Sequence, residues 1–420
     1  MVPAARHPVE RKLLAARFAG GVAPRYDGYG IANLPASVLR PFNARATLPP
    51  LAPDVLPPAL LAGVERVVAL VVDGLGWRQL LRAMDSGGAP NLRALADRGH
   101  LAPATSVLPS TTVTALATLS TGESPVRHGL LGYRMWLPRP GITANMIRFM
   151  GILGGRLEDR GFDLEAMLPF PTIFEKAARA GAEACVVTRD EYTRSPLGRL
   201  IYRGALLDGY QGQGDLFVKA RRHLERLEGR PALLRLYWDL VDTVAHEYGE
   251  TSDEHAAEVA AFDFALGREF FDRIRDPKTL LVVTADHGHI TIPPDRRVRL
   301  NEHPGLLENL AVPPSGEGRM SYLHVRDGRR RAVVDYVRRR LAKQATLVPV
   351  ERAANDGRFG PGKRHPEFER RAGEFLLVAR DDHKFDYHYA PDAGPRPLAG
   401  NHGGVSPEEM LVPVLAARMG

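Results

Sequence analysis

Apolar residues run unbroken, or nearly so, through RVVALVV at 66–72, EACVVT at 183–188, ALLRLYW at 232–238 and TLLVVT at 279–284. Runs this short and apolar on both faces predict strands buried in a sheet covered on two sides. Between them the spacing turns helical, at 76–84, at 90–98, through TIFEKAARAG from 172, through GDLFVKARRHLERLEG from 214, and over 253–275. A further strand leads towards Thr112, and 112–120 reads as a helix. Strands alternating with helices predict crossover units and a mostly parallel central sheet between helical layers, an α/β fold of three-layer α/β/α type.

Three stretches depart from this rhythm. Residues 1–60 are rich in proline and alanine without a clear period, and are expected to pack on the core as an arm. The stretch TGESPVRHGLLGYRMWLPRPG after the helix reads as a loop carrying glycine, proline and aromatics. Residues 300–375 differ in texture and are expected to form a cap or insert with its own small sheet. The main domain is then drawn from 61–299 and 376–420.

Composition narrows the class. With 420 residues, 44% of them hydrophobic, the chain is long enough to bury a large core. It has no apolar run of about 18 residues, so no membrane-spanning helix is expected. The opening MVPAARHPVERKLLAARFAGG lacks the apolar stretch of a signal peptide. One cysteine, Cys185, excludes an internal disulfide framework and suits a packing role. A cytoplasmic setting is the expectation.

The net charge of +7 adds one hint. Of 56 basic residues 7 are lysines, leaving 49 arginines. That bias either mirrors genome composition or supplies a field for anionic esters. The charge is spread along the chain, and its densest run, RDGRRRAVVDYVRRR, reads as a helix with a solvated basic face. Nucleic acid is therefore not the expected partner.

Candidate chemistry sits where the strands end. Asp73, Asp242 and Asp286 all follow strand patterns, where ligands collect in open parallel sheets. Asp73 precedes Gly74 and Gly76, which let the backbone turn beside a ligand; a turn or capping aspartate is the plain alternative. Asp242 and His246 are four apart, so a helix puts them on one face. Asp286 and His287 are adjacent and point in different directions, which would let them face two metals. His289 is a neighbour of that pair, either behind it or in solvent. His402 lies in GNHGG before a capped helix signature, SPEEM. Thr112 stands where a loop becomes a helix, a natural place for a phosphoryl group. Ser110, Thr111 and Thr114 compete with it for that role. Tyr133 and Trp136 are the candidate substrate-stacking residues, with core packing as the alternative.

In this order the motifs VVDGLGW, LPSTTVTALATLSTG, DTVAH, ADHG and NHGG resemble the alkaline phosphatase superfamily, in its type I phosphodiesterase/nucleotide pyrophosphatase branch. The resemblance covers roughly 66–136, 231–290 and 400–414. It implies an alkaline-phosphatase-like fold and two divalent metal ions, zinc first and manganese as the alternative. One ion would be held by Asp73, Asp286 and His287, with the Thr112 oxygen beside it. The other would be held by Asp242, His246 and His402. Thr112 becomes the nucleophile, with Thr111 as the fallback. Ala115 replaces an asparagine common in the family, so part of the phosphate-oxygen contact must come from elsewhere. The activity implied is a metal-dependent phosphodiesterase or nucleotide pyrophosphatase acting on a small phosphate ester, such as a nucleotide. A phosphomonoesterase of the same superfamily is the nearest alternative, and a non-catalytic basic nucleic-acid-binding protein the distant one.

Overall fold

The computed structural model describes residues 7–390 and 398–420. Residues 1–6 of the expected arm and 391–397 of the expected main-domain segment lie outside the described residues.

Two seven-stranded sheets organise the chain. In chain order the strands are β1 (Arg66–Val72), β2 (His100–Thr105), β3 (Arg134–Leu137), β4 (Ile142–Asn145), β5 (Met150–Gly151), β6 (Glu183–Arg189) and β7 (Leu206–Tyr210). They continue with β8 (Ala232–Trp238), β9 (Asp276–Thr284), β10 (Ser315–Gly316), β11 (Met320–Leu323), β12 (Ala345–Pro349), β13 (Phe375–Ala379) and β14 (Leu411–Met419).

The first sheet has the order β2-β14-β9-β1-β8-β6-β7. The five strands from β9 to β7 run parallel. β14 is antiparallel to both its neighbours, β9 and β2. Every residue of β1 and β8 is buried, so the sheet is covered on both faces. This is the mostly parallel α/β sheet that the apolar runs predict. Each valine or leucine side chain so buried stabilises the fold by about 1.5–3 kcal/mol.

The second sheet has the order β12-β13-β11-β10-β3-β4-β5, with antiparallel pairing throughout. It joins strands from 315–379 to strands from 134–151, far apart in sequence. The stretch read as a loop after Thr121 therefore contains a short helix, Pro125–His128, and β3. Alternation of buried and half-buried residues in RMWL is only four residues long, too brief to stand out among the surrounding glycines and prolines.

One hydrophobic cluster runs from Val9 and Leu13 through β1 and β8 to Phe368 and Leu376. A smaller one, around Leu306, Val333 and Leu377, lies under the outer part of the second sheet. The helix expected over 253–275 ends as an α-helix at Leu266 and passes into a π turn, Gly267–Phe271. Gly267 is pressed against Asn91 there, an approach that its missing side chain permits.

Two helices matter for the site. α1 (Thr112–Thr121) is buried along its whole length except at Thr112, which is half-buried. It ends at Gly122, whose φ of +72° favours glycine. α2 (Leu240–Tyr248) starts directly after β8.

Candidate metal centre

The carboxyl ends of β1, β8 and β9 converge. Asp73 follows β1, and its backbone N–H donates to Trp238 O at 2.8 Å. Gly74 turns the chain at φ +74°; a Cβ there would stand 2.9 Å from Asp242 Cα. The freed Gly74 N–H donates to Asp286 Oδ1 at 3.2 Å. Gly288 is equally constrained, since a Cβ would fall 2.0 Å from Glu408 O. A Cβ on Gly288 would also stand 2.9 Å from Gly76 Cα, so glycine at these two positions lets the DGLG and DHG turns press together.

Two groups of ligand-type atoms result, each within 4.8 Å of one another: Asp73, Asp286 and His287, and Asp242, His287, His289 and His402. Asp73 Oδ1, Asp286 Oδ2 and His289 Nδ1 are buried and have no hydrogen-bond partner. Buried carboxylate oxygens left this way are costly unless a cation meets them. Carboxylates mixed with imidazoles suit zinc or manganese. The residues present therefore fit divalent metals.

Electrostatics say the same. Burial, then the nearby charges of Asp286 and Asp242, push the Asp73 carboxyl well above the usual range. Burial also raises Asp286. Asp242 moves the other way: burial opposes ionisation, but His246, His289 and His402 around it hold it well below the usual range. Burial, aided by His287 and His246, keeps His402 neutral. Neutral imidazoles and crowded carboxylates are what a cation needs.

The histidines are aimed by carbonyl oxygens. His246 Nδ1 donates to Gly400 O at 2.8 Å, and His402 Nδ1 pairs with Ser110 O at 3.2 Å. Their Nε2 atoms then stand 3.5 and 3.9 Å from Asp242 Oδ1. Fixing one ring nitrogen in this way orients the other towards a metal. The His287 and His402 rings stack at 3.7 Å.

Thr112 meets this centre directly. Its Oγ1 lies 3.1 Å from His287 Nε2, which is itself 3.4 Å from both Asp73 Oδ1 and Asp286 Oδ2. Thr111 interacts instead with the Glu317 carboxyl, which it helps hold down against burial. Ser110 donates to Gly404 O at 2.8 Å. Thr114 is fully buried within the helix.

The structure thus brings together Asp73, Thr112, Asp242, His246, Asp286, His287 and His402. It adds His289, fully buried, with Nε2 2.6 Å from Asp242 Oδ1. Its place two residues after His287 was the only sequence signal. Tyr133 and Trp136 lie apart from the cavity beside Thr112. The Tyr133 N–H donates to Glu317, its hydroxyl accepts from Asn145, and Trp136 rests edge-on against His324.

Glu317 and Arg319, which no motif marked, and Glu409 of the SPEEM signature support the centre from its flanks. Glu317 packs its side chain over Gly403, next to His402. Arg319 forms a buried two-pronged pair with Glu409, at 3.0 and 2.9 Å. Glu409 also accepts from Gly404 N–H at 2.8 Å and caps the helix Pro407–Met410 through its box with Ser406. The NHGG loop is thereby clamped.

A cavity of about 420 Å³ opens beside Asp73, Thr112 and Asp242. Its walls include Leu116, Leu197, Ile201 and Tyr237.

Comparison with known proteins agrees with this arrangement. Residues 67–405 match the family model for type I phosphodiesterase/nucleotide pyrophosphatase. Phosphonoacetate hydrolase from Sinorhizobium meliloti 1021, solved with phosphonoformate, has a TM-score of 0.62 at 22% identity, covering 84% of this chain and 89% of that one. Murine ectonucleotide pyrophosphatase/phosphodiesterase 5 has a TM-score of 0.60 at 19% identity, covering 84% and 87%. At such identities the likeness is one of fold. Streptomycin-6-phosphate phosphatase from Streptomyces griseus is 36% identical over 107 residues, which is 25% of this chain and 23% of that protein's length. The family model spans both the first motif and the last, and the ordered carboxylates and histidines meet at one point; the chain belongs to the type I phosphodiesterase/nucleotide pyrophosphatase family and is a hydrolase of that type.

Proposed function

We propose that this protein hydrolyses a small phosphoric diester with Thr112 as nucleophile. The observation that carries this reading is the position of Thr112 Oγ1, 3.1 Å from His287 Nε2 and at the first residue of α1. Asp73, Asp286 and His287 would hold one divalent ion, and Asp242, His246 and His402 the other, with zinc as the first choice. Bound there, the two ions supply positive charge that eases deprotonation of a hydroxyl and offsets charge on phosphoryl oxygens.

The chain's own groups do the rest. The Thr112 oxygen bonds to phosphorus and the ester oxygen opposite it departs with its electron pair. Water then cleaves the phosphothreonine, restoring the hydroxyl. Backbone N–H groups at the start of α1 face the phosphoryl oxygens, where the helix end favours negative charge. The wall of Leu116, Leu197, Ile201 and Tyr237 receives the organic part of the ester and excludes water around it. Further support comes from the relatives. An inactive threonine-to-alanine variant of the murine phosphodiesterase was solved with AMP.

The test is hydrolysis of bis-p-nitrophenyl phosphate, p-nitrophenyl phosphate and the p-nitrophenyl ester of TMP, with EDTA and with added zinc or manganese. Diester cleavage that EDTA abolishes is the expected result. A preference for the monoester would favour the second reading, a phosphomonoesterase, which the match to streptomycin-6-phosphate phosphatase supports. No turnover with any metal would defeat both.

A further inference from the structure

The cavity beside Thr112 has one basic residue on its wall, Arg148. Arg148 is exposed and lies in the turn between β4 and β5 of the second sheet. That turn is fixed from both sides. Asn145 Oδ1 accepts the N–H groups of Ile147 and Arg148 at 3.0 and 3.1 Å. The next residue, Phe149, is buried and has φ +50°, a left-handed conformation rare for bulky side chains. Strain of this kind persists where the surroundings over-determine it, and it clusters at functional sites.

Among the described residues the Arg148 guanidinium has no ion-pair or hydrogen-bond partner. The other charged wall groups outside the metal-type centre are engaged. Asp239 accepts from Arg189 Nη2 and from the Tyr192 hydroxyl, both at 2.7 Å. Glu191 stands 3.7 Å from the same Arg189. The wall therefore offers one uncommitted charge, and it is positive. The same lining includes the apolar side chains of Leu116, Ile147, Met150, Leu197 and Ile201. A volume of about 420 Å³ exceeds what a bare phosphoryl group fills.

We propose that Arg148 is the specificity residue of this pocket, reading a second anionic group on the organic part of the ester whose phosphorus sits at Thr112. The group is a carboxylate or a phosphate, since the guanidinium fork matches both. The apolar wall takes the body of the substrate and Arg148 takes its far end. This assignment rests on the diesterase reading above.

Three probes with one reacting centre test it: the p-nitrophenyl ester of TMP, the same ester bearing a 3′-phosphate, and the same ester bearing a 3′-succinyl carboxylate. In the wild type, kcat/KM for at least one probe with the added anionic group exceeds that for the plain TMP ester by about tenfold or more, the scale of a hydrogen bond to a charged group. Arg148→Gln brings that ratio to about one, and Arg148→Lys keeps part of it. A preference for one added group alone identifies phosphate or carboxylate as the source. A wild-type ratio near one, or a ratio that Arg148→Gln leaves standing, overturns the assignment. Failure of the wild type to cleave any probe with metal overturns the diesterase reading and this assignment together.

Discussion

The parallel and antiparallel sheets bring their groups to the metal-type centre and the cavity beside it by different routes. The parallel sheet delivers Asp73, Asp242, Asp286 and His287 from the carboxyl ends of three adjacent strands. Each of these lies within four residues of its strand, so short-range geometry fixes it. The antiparallel sheet delivers Glu317, Arg319 and Arg148 from hairpin turns. Their positions depend on β10 and β3 pairing across almost two hundred residues of sequence, with Gly316 opposite Arg134. The first sheet carries groups suited to chemistry, and the second carries groups suited to holding and selecting.

The sharpest break of this division would come from Thr112→Ala. Turnover should fall by about 10³-fold or more, as when a nucleophile is removed, while metal content measured by mass spectrometry stays at the wild-type level. Substantial turnover in that variant would move the nucleophile to Thr111, which interacts with Glu317 beside the second sheet.

Next in size is Arg319→Met. It leaves Glu409 buried without its partner, and breaking such a pair destabilises by about 3–5 kcal/mol. Urea unfolding checks this. Replacing both residues, Arg319→Met with Glu409→Leu, should recover much of the stability but not the position of the NHGG loop. Metal affinity should therefore stay low in the double variant. If affinity returned with stability, the clamp would be holding the fold and nothing finer.

Glu317→Gln is gentler. Glutamine keeps the shape and an acceptor for the Tyr133 N–H, but removes the carboxylate that interacts with Thr111. Turnover should drop by about tenfold, the size typical of supporting groups around a metal site, with KM for the diester nearly constant. A fall in KM affinity with kcat intact would place Glu317 in substrate binding and blur the contrast between the sheets.

The smallest effect is in acid. Burial opposes ionisation of Glu409, but Arg319 outweighs it and holds the carboxyl below its usual value of 4.5. A carboxyl with a lowered folded pKa stabilises the native state above its unfolded value, and that contribution is lost as pH falls through the folded one. Stability of the wild type should therefore decline below about pH 4.5 more steeply than that of Glu409→Gln. Parallel acid-unfolding curves would remove Glu409 from the account.

This contrast also explains what could be read from the sequence. Strand runs such as RVVALVV declare themselves because burial on both faces needs uninterrupted apolar residues. The ligands follow those runs directly, and glycines mark the turns. Thr112 was harder, because Ser110, Thr111 and Thr114 share its chemistry; only the fold separates a hydroxyl on His287 from one on Glu317. His289 looked optional, and its burial against Asp242 is set by the packing of α2. β3, β4 and β5 were hidden because strands of two to four residues carry too little period. Arg319 and Arg148 are two among 49 arginines, and nothing local distinguishes the buried or the uncommitted one from the rest.

β14 enters the first sheet between β2 and β9, strands whose segments are separated by nearly the whole middle of the chain. On a ribosome, β2 and β9 would both be made well before residues 411–419 emerge. His402 is translated late as well, more than a hundred residues after His287. The nascent polypeptide would therefore carry a half-built sheet with one metal-type group in place and the other incomplete. The cluster of Asp242, His287, His289 and His402 would therefore be complete only once the segment leading into β14 had joined the sheet.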